Sequence, residues 1–246
     1  MKSFFVYLGI QLKADIRDRG ILMTYYLVPL VFFVVIGSVF SSINPLMKPG
    51  LAASMSIFAV TMGAVMGSPL PLVRARESGT LRAFRINGIP DGAVLAVHTV
   101  SACIHLVIVS IIIYVLSPVL LHSDWPSHPG LYMLVLLLIL LASVGIGILT
   151  GSTVRSQSTA SMISMLVFLP TVMLGGIMFP SSLLPPVFEK AALVLPATYA
   201  MQAFESLAFG QHTCLRPAFC LCMLAGFCAV SFILALWRFA AVIKKQ

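Results

Sequence analysis

No Asp, Glu, Lys or Arg occurs between Lys48 and Arg74, or between Asp91 and Asp124. Uncharged apolar runs of that length match the roughly 30 Å hydrocarbon layer, which a helix of about 20 residues crosses. Similar runs cover Gly20 to Met47, about Leu131 to Gly151, about Ala160 to Phe179 and about Pro217 to Trp237. With no water in lipid to satisfy backbone N–H and C=O groups, such runs form helices. The chain is 60% hydrophobic and 9% charged, with a mean hydropathy of +1.07, whereas soluble domains carry about 25% charged residues. The fold class expected is all-α and membrane-integral, with six transmembrane helices in a single domain over residues 1–246 and no appended soluble module. Charges at Lys13, Asp15, Arg17, Asp18 and Arg19 interrupt the first segment, so it does not read as a cleavable signal.

The longest charged island lies between the second and third runs, at residues 74–91. It holds four arginines and two acids in eighteen residues. The segment Thr80 to Ile86 can form a short helix with Leu81 and Phe84 on one face and Arg82 and Arg85 on another. Asn87-Gly88 can stop it and Pro90 prevents its continuation. Two readings stand open: a docking surface for another protein, or a solvated loop whose arginines only fix topology.

Residues 3–19 are expected to form an amphipathic helix lying on the membrane surface. Phe5, Leu8, Leu12 and Ile16 recur at helical spacing, while Gln11, Lys13, Asp15, Arg17 and Asp18 point elsewhere. Pro29 is expected to kink the first span. In the second span Ala59, Gly63 and Gly67 fall four apart, as do Ser143, Gly147 and Gly151 in the fourth, making small-residue stripes suited to close helix contact. Trp125 reads as an interfacial anchor. After the fifth span, Pro180 to Pro186 is followed by Glu189-Lys190 and by an apolar piece, Ala191 to Phe204, too short to cross. We expect two short half-helices over residues 180–205 that dip in from the outer side and return.

Six spans place both termini on one side. The N-terminal segment, the island, the Arg155 loop and the C-terminus carry twelve Lys and Arg, against three (Lys48, Lys190, Arg216) in the other loops. The positive-inside bias puts both termini and the island in the cytoplasm. The same placement accounts for the formal net charge of +8 without a nucleic-acid partner.

The chain has no GxxxxGK[ST] phosphate loop, since none of its six lysines follows a glycine. Its five cysteines form no CxxC pair, and four of them fall inside apolar runs, where a thiol suits a small buried hydrophobe. His98 and His105 share one face of the third span, and with no acid in the spans beside them they suit hydrogen-bonded packing better than proton relay. Glu205 is a candidate for the outer exit, for a dimer seam, or for simple solvation. A membrane-embedded enzyme would need HExxH or paired ligands that are absent, His212 and Cys214 alone making a poor metal site. An ion-gradient-driven secondary transporter is the other alternative, and apart from Pro29 and Pro170 no broken helix suggests one.

Taken in order, these features resemble an ABC-2 type permease, the membrane subunit of an ATP-binding-cassette exporter. One motif is Arg76-Glu77, Gly79-Thr80-Leu81 and Gly88-Ile89-Pro90, similar to the family's coupling segment. The other is Gly175-Gly176-Ile177-Met178-Phe179-Pro180, Leu184-Pro185 and Leu195-Pro196-Ala197-Thr198-Tyr199, similar to its outer re-entrant hairpin. Ile89 departs from the family's frequent Thr and Phe84 from its Leu, and His98 most nearly matches a basic residue early in the third span. The resemblance implies that Arg76, Glu77, Gly79, Thr80, Leu81, Arg82, Phe84, Arg85 and Pro90 contact an ATPase subunit. Phe84 and Leu81 would seat in its groove. It assigns Phe179, Pro180, Pro185, Pro196, Tyr199 and Glu205 to an outer hairpin or gate. It implies no catalytic or metal-binding residue on this chain, with ATP and Mg held by the partner ATPase. The remaining implied partners are the lipid bilayer and a second copy or a related permease, in the cell (inner) membrane. The implied activity is export of an amphipathic or hydrophobic substrate such as a drug, an antimicrobial peptide or a lipid.

Overall fold

A computed structural model describes residues 2–43, 48–86, 90–178 and 184–243. Helix α1 covers Lys2–Arg17. Helix α2 is built from Arg19–Leu22, a π-helical turn Met23–Leu27, and Val28–Ile43. Helix α3 joins Lys48–Thr61, a second π turn Met62–Gly67, and Pro69–Glu77. The short α4 is Thr80–Ile86, and α5 (Asp91–Leu121), α6 (Pro129–Thr153) and α7 (Gln157–Leu174) follow. Two short helices, α8 (Pro186–Ala192) and α9 (Pro196–Ala203, extended by a π turn Phe204–Ala208), precede α10 (Pro217–Ile243). Six of these, α2, α3, α5, α6, α7 and α10, are long and apolar enough to cross a membrane.

Helix α3 is the hub. Of its most apolar window 89% is buried, against 22% for α2 and for α10. Small residues permit this: Gly63 faces Tyr25 and Leu106, and Gly67 faces Tyr25. A Cβ on Gly147 of α6 would come within 2.1 Å of the Ala64 carbonyl oxygen, so the two backbones touch there and only glycine fits. The small-residue stripes therefore meet partners inside this bundle.

Several boundaries differ from the sequence reading for identifiable reasons. Pro29 sits two residues past the π turn of α2, and the wider turn accommodates the backbone donor that proline lacks. The second span does not stop at Val73 but continues as helix through Arg74, Arg76 and Glu77. The fifth ends at Leu174, not Phe179, where Gly176 takes a positive φ of 80°. The apolar piece Ala191 to Phe204 is two elements, because Pro196 cannot continue a helix but suits its first turn.

Candidate coupling interface and the opposite end

At the end of the bundle that gathers most of the basic residues, three separate helices are tied by charge. Asp18 pairs with Arg74 of α3 and caps the start of α2, accepting from the backbone N–H groups of Gly20 (2.8 Å) and Ile21 (3.3 Å). Slight burial would raise the Asp18 carboxyl, but Arg74 and these N–H groups outweigh it and hold it below the usual range. Arg76 donates to the carbonyls of Val154 (2.5 Å) and Ser152 (3.3 Å), where α6 ends. Glu77 accepts from the backbone N–H of Gln157 (3.2 Å) and from its Nε2 (2.6 Å), where α7 begins. Cation at a helix C-terminus and anion at an N-terminus is the favourable sense of both helix dipoles.

Gly79 at φ 73° then turns the chain into α4, with the Ser78 and Thr80 hydroxyls sharing a hydrogen bond of 2.7 Å. Leu81 is buried within this chain, and Phe84 is half-buried with its ring edge against Tyr7 of α1, centroids 5.0 Å apart. Leu81 and, in part, Phe84, expected to seat in a partner's groove, pack here against this chain; Ile86, 80% exposed, is an apolar side chain at the end of α4. Arg82 and Arg85 lie on α4, but their side chains are outside the described residues, as are Asn87, Gly88 and Ile89. Pro90 precedes α5 in an extended conformation.

Helix α1 packs on the bundle through its polar side. Phe5 and Ile16 are exposed, while the turn carrying Tyr7, Gln11 and Asp15 faces the bundle. Asp15 is only 5% exposed. Gln11 Nε2 donates to its Oδ1 (2.7 Å), Ser101 Oγ donates to its Oδ2 (2.6 Å), and His105 Nε2 lies 3.7 Å away. The other nitrogen of His105, Nδ1, shares a hydrogen bond of 2.7 Å with the Tyr26 hydroxyl. The third-span histidines therefore do have a carboxylate beside them, contrary to the sequence reading, and it comes from outside the spans. Burial would push the Asp15 carboxyl up, but His105, Ser101 and Gln11 together hold it below the usual carboxylate range. Sequence inspection missed this residue because amphipathic periodicity sends polar side chains to water. The Gln11–Asp15 spacing of four was the available signal.

The opposite end is held differently. Tyr132 is fully buried between Tyr114, Phe204 and Phe209, with its hydroxyl 2.9 Å from Ser56 Oγ. Trp125 stacks edge-on against Tyr114 and remains 58% exposed. Pro185 and Pro196 set the starts of α8 and α9, and Tyr199 ties them by donating to the Leu193 carbonyl (2.7 Å). Glu205 lines a cavity of about 200 Å³ with Gln202, Gln211, His212 and Cys214, and burial raises its carboxyl above the usual range. Phe179 and Pro180 lie outside the described residues.

Six apolar spans, a charge-clamped segment at one end and two short helices at the other define a multi-pass membrane protein. The sequence profile of ABC-2 type transporters matches residues 2–209, and the chain belongs to that family. It is similar to the probable multidrug ABC transporter permease YbhS of Escherichia coli K12, 23% identical over 158 residues, covering 64% of this chain and 42% of that one. It is also similar to the inner membrane transport permease YhhJ of the same organism, 27% identical over 187 residues, covering 75% and 50%. The chain spans about half the length of the curated relatives it matches.

Proposed function

We propose that this chain is the membrane-spanning subunit of an exporter driven by ATP hydrolysis on a separate subunit, which supplies the ATP and Mg sites. Family membership supports the partner class, and the placement of α4 carries the mechanism: a short helix hung between clamped helix ends, its Ile86 tip exposed. Closure of the ATPases would push α4 and with it Arg76 and Glu77, which hold the ends of α6 and α7. ATP binding thereby biases a two-state arrangement of the spans. Arg82, Arg85 and Ile86 form the docking tip; Gly79, Thr80, Leu81, Phe84 and Pro90 give the segment its shape and seat it on α1 and α5.

The complete transporter on this reading pairs the chain with a second copy or a related permease, in a cell (inner) membrane, with both termini and α4 cytoplasmic. Helix α1 lies along the cytoplasmic surface, and α8 and α9 form the outer re-entrant hairpin, with Pro185, Pro196, Tyr199 and Glu205, and the flanking Phe179 and Pro180, at the gate. The substrate is an amphipathic or hydrophobic molecule, as the multidrug naming of the YbhS relative suggests. The test is co-purification from native membranes. A stoichiometric soluble subunit carrying a phosphate-loop motif, lost on combining Arg85→Glu with Ile86→Asp, is the expected result. A chain that purifies alone and still transports under an ion gradient would overturn the reading.

A further inference from the structure

Asp15 presents an electrostatic problem. It is a buried carboxylate, and among the described residues no lysine or arginine lies within salt-bridge distance of it. Its close partners are neutral donors, Gln11 and Ser101, with the His105 ring farther off. Buried charges in proteins are ordinarily paired, because desolvation of an isolated ion costs several kcal/mol.

The carboxylate also lines a cavity of about 290 Å³ between α1, the end of α3, α4 and α5. Tyr7 and Phe84 form an aromatic wall, their rings edge to face. Among the described lining residues Asp15 and Asp18 stand against one cation, Arg74, which is already committed to Asp18. His98 lines the cavity from α5, is only 7% exposed, and its Nε2 has no hydrogen-bond partner among the described residues. A carboxylate in excess, two π faces and an unused imidazole nitrogen complement one kind of group. Positive charge is drawn to the aromatic faces, the attraction grows when the site is desolvated, and an N–H on the cation can satisfy a free imidazole nitrogen.

We infer that this cavity is a binding site for an organic ammonium group carried on a small apolar body, with Asp15 as its counter-ion, Tyr7 and Phe84 as its walls and His98 as its hydrogen-bond acceptor. The volume admits a body of about the size of a benzylamine. Occupancy fastens α1 to α4, the two elements whose aromatic residues form the wall. The site is separate from the docking tip at Ile86, so it is open to test on the chain without an ATPase.

The experiment is equilibrium binding of benzylammonium to the purified full chain in lipid nanodiscs, with empty nanodiscs subtracted. Benzyl alcohol serves as the neutral isostere and benzoate as the anionic one. Benzylammonium should bind at least about tenfold more tightly than benzyl alcohol, and benzoate should not bind. Asp15→Asn should abolish that preference while leaving benzyl alcohol binding intact, which also reports that the cavity persists. Tyr7→Leu keeps every charge and should weaken the cation severalfold. Arg74→Gln, by removing the competing cation, should tighten it. Benzoate binding as tightly as benzylammonium, or Asp15→Asn retaining the cation preference, would overturn the assignment. If Asp15→Asn fails to fold, an unchanged affinity in both Tyr7→Leu and Arg74→Gln does the same.

Discussion

The two ends of this bundle are fastened by different physics. At the basic end, Arg74, Arg76 and Glu77 reach across to Asp18, to the last carbonyls of α6 and to the first N–H of α7. At the opposite end Tyr132, Tyr114, Phe204 and Phe209 make an aromatic plug. Polar joints at a wet boundary exchange partners at low cost, because water or another protein can replace each bond. A packed aromatic cluster has no such substitute and moves as a block or not at all. The contrast fits the proposed coupling, in which the charged end receives the input.

Four changes would break or sharpen this contrast. The largest expected effect is from Tyr132→Ala, which should cost about 3–5 kcal/mol by opening a cavity at the plug, read as a large drop in thermal midpoint in detergent. Retention of full stability would show that the plug does not hold that end. Next comes Arg76→Ala, expected to cost about 1.5–3 kcal/mol, since it leaves the Ser152 and Val154 carbonyls without their charged donor. Transport should fall further than ATP hydrolysis in the assembled complex, and Arg76→Lys should recover stability only in part, lacking the planar fork.

A smaller effect concerns pH. Glu205 has a raised carboxyl, so between the ordinary carboxylate value of about 4.3 and its folded value the native state binds more protons than the unfolded one. Stability should therefore fall as pH rises through that window, and Glu205→Gln should flatten the thermal midpoint across it. A slope that survives the substitution would assign the proton elsewhere. The smallest effect on stability is that of Ile86→Asp, within about 0.5 kcal/mol because the side chain is 80% exposed. Loss of the co-purifying ATPase with an unchanged thermal midpoint would separate docking from folding.

The six helices were legible from the sequence because each is a long run without charge, and lipid leaves a backbone no alternative. The short helices α8 and α9 were legible through Pro185, Pro186 and Pro196, whose fixed φ marks where helices start. What could not be read was orientation. The periodicity that identifies α1 as a helix also sends Asp15 to the polar side, and only tertiary packing against Ser101 and His105 shows that this side faces inward. In a bundle surrounded by lipid, the apolar stripe Phe5–Ile16 can face outward and the polar side supply the internal bonds, the reverse of the soluble case. Likewise, Arg76 and Glu77 sit in a charged run that reads as surface, and their partners lie some eighty residues away.

The π turn at Met62–Gly67 also governs how α3 tolerates changes of length. A π turn is an α-helix carrying one surplus residue, so deleting a single residue within it lets the turn relax to ordinary geometry. A deletion elsewhere in α3 has no such slack, and rotates everything beyond it by about 100°. That would swing Arg74 and Arg76 away from Asp18 and Val154, so a single-residue deletion in this helix should be tolerated best within the six residues at its waist.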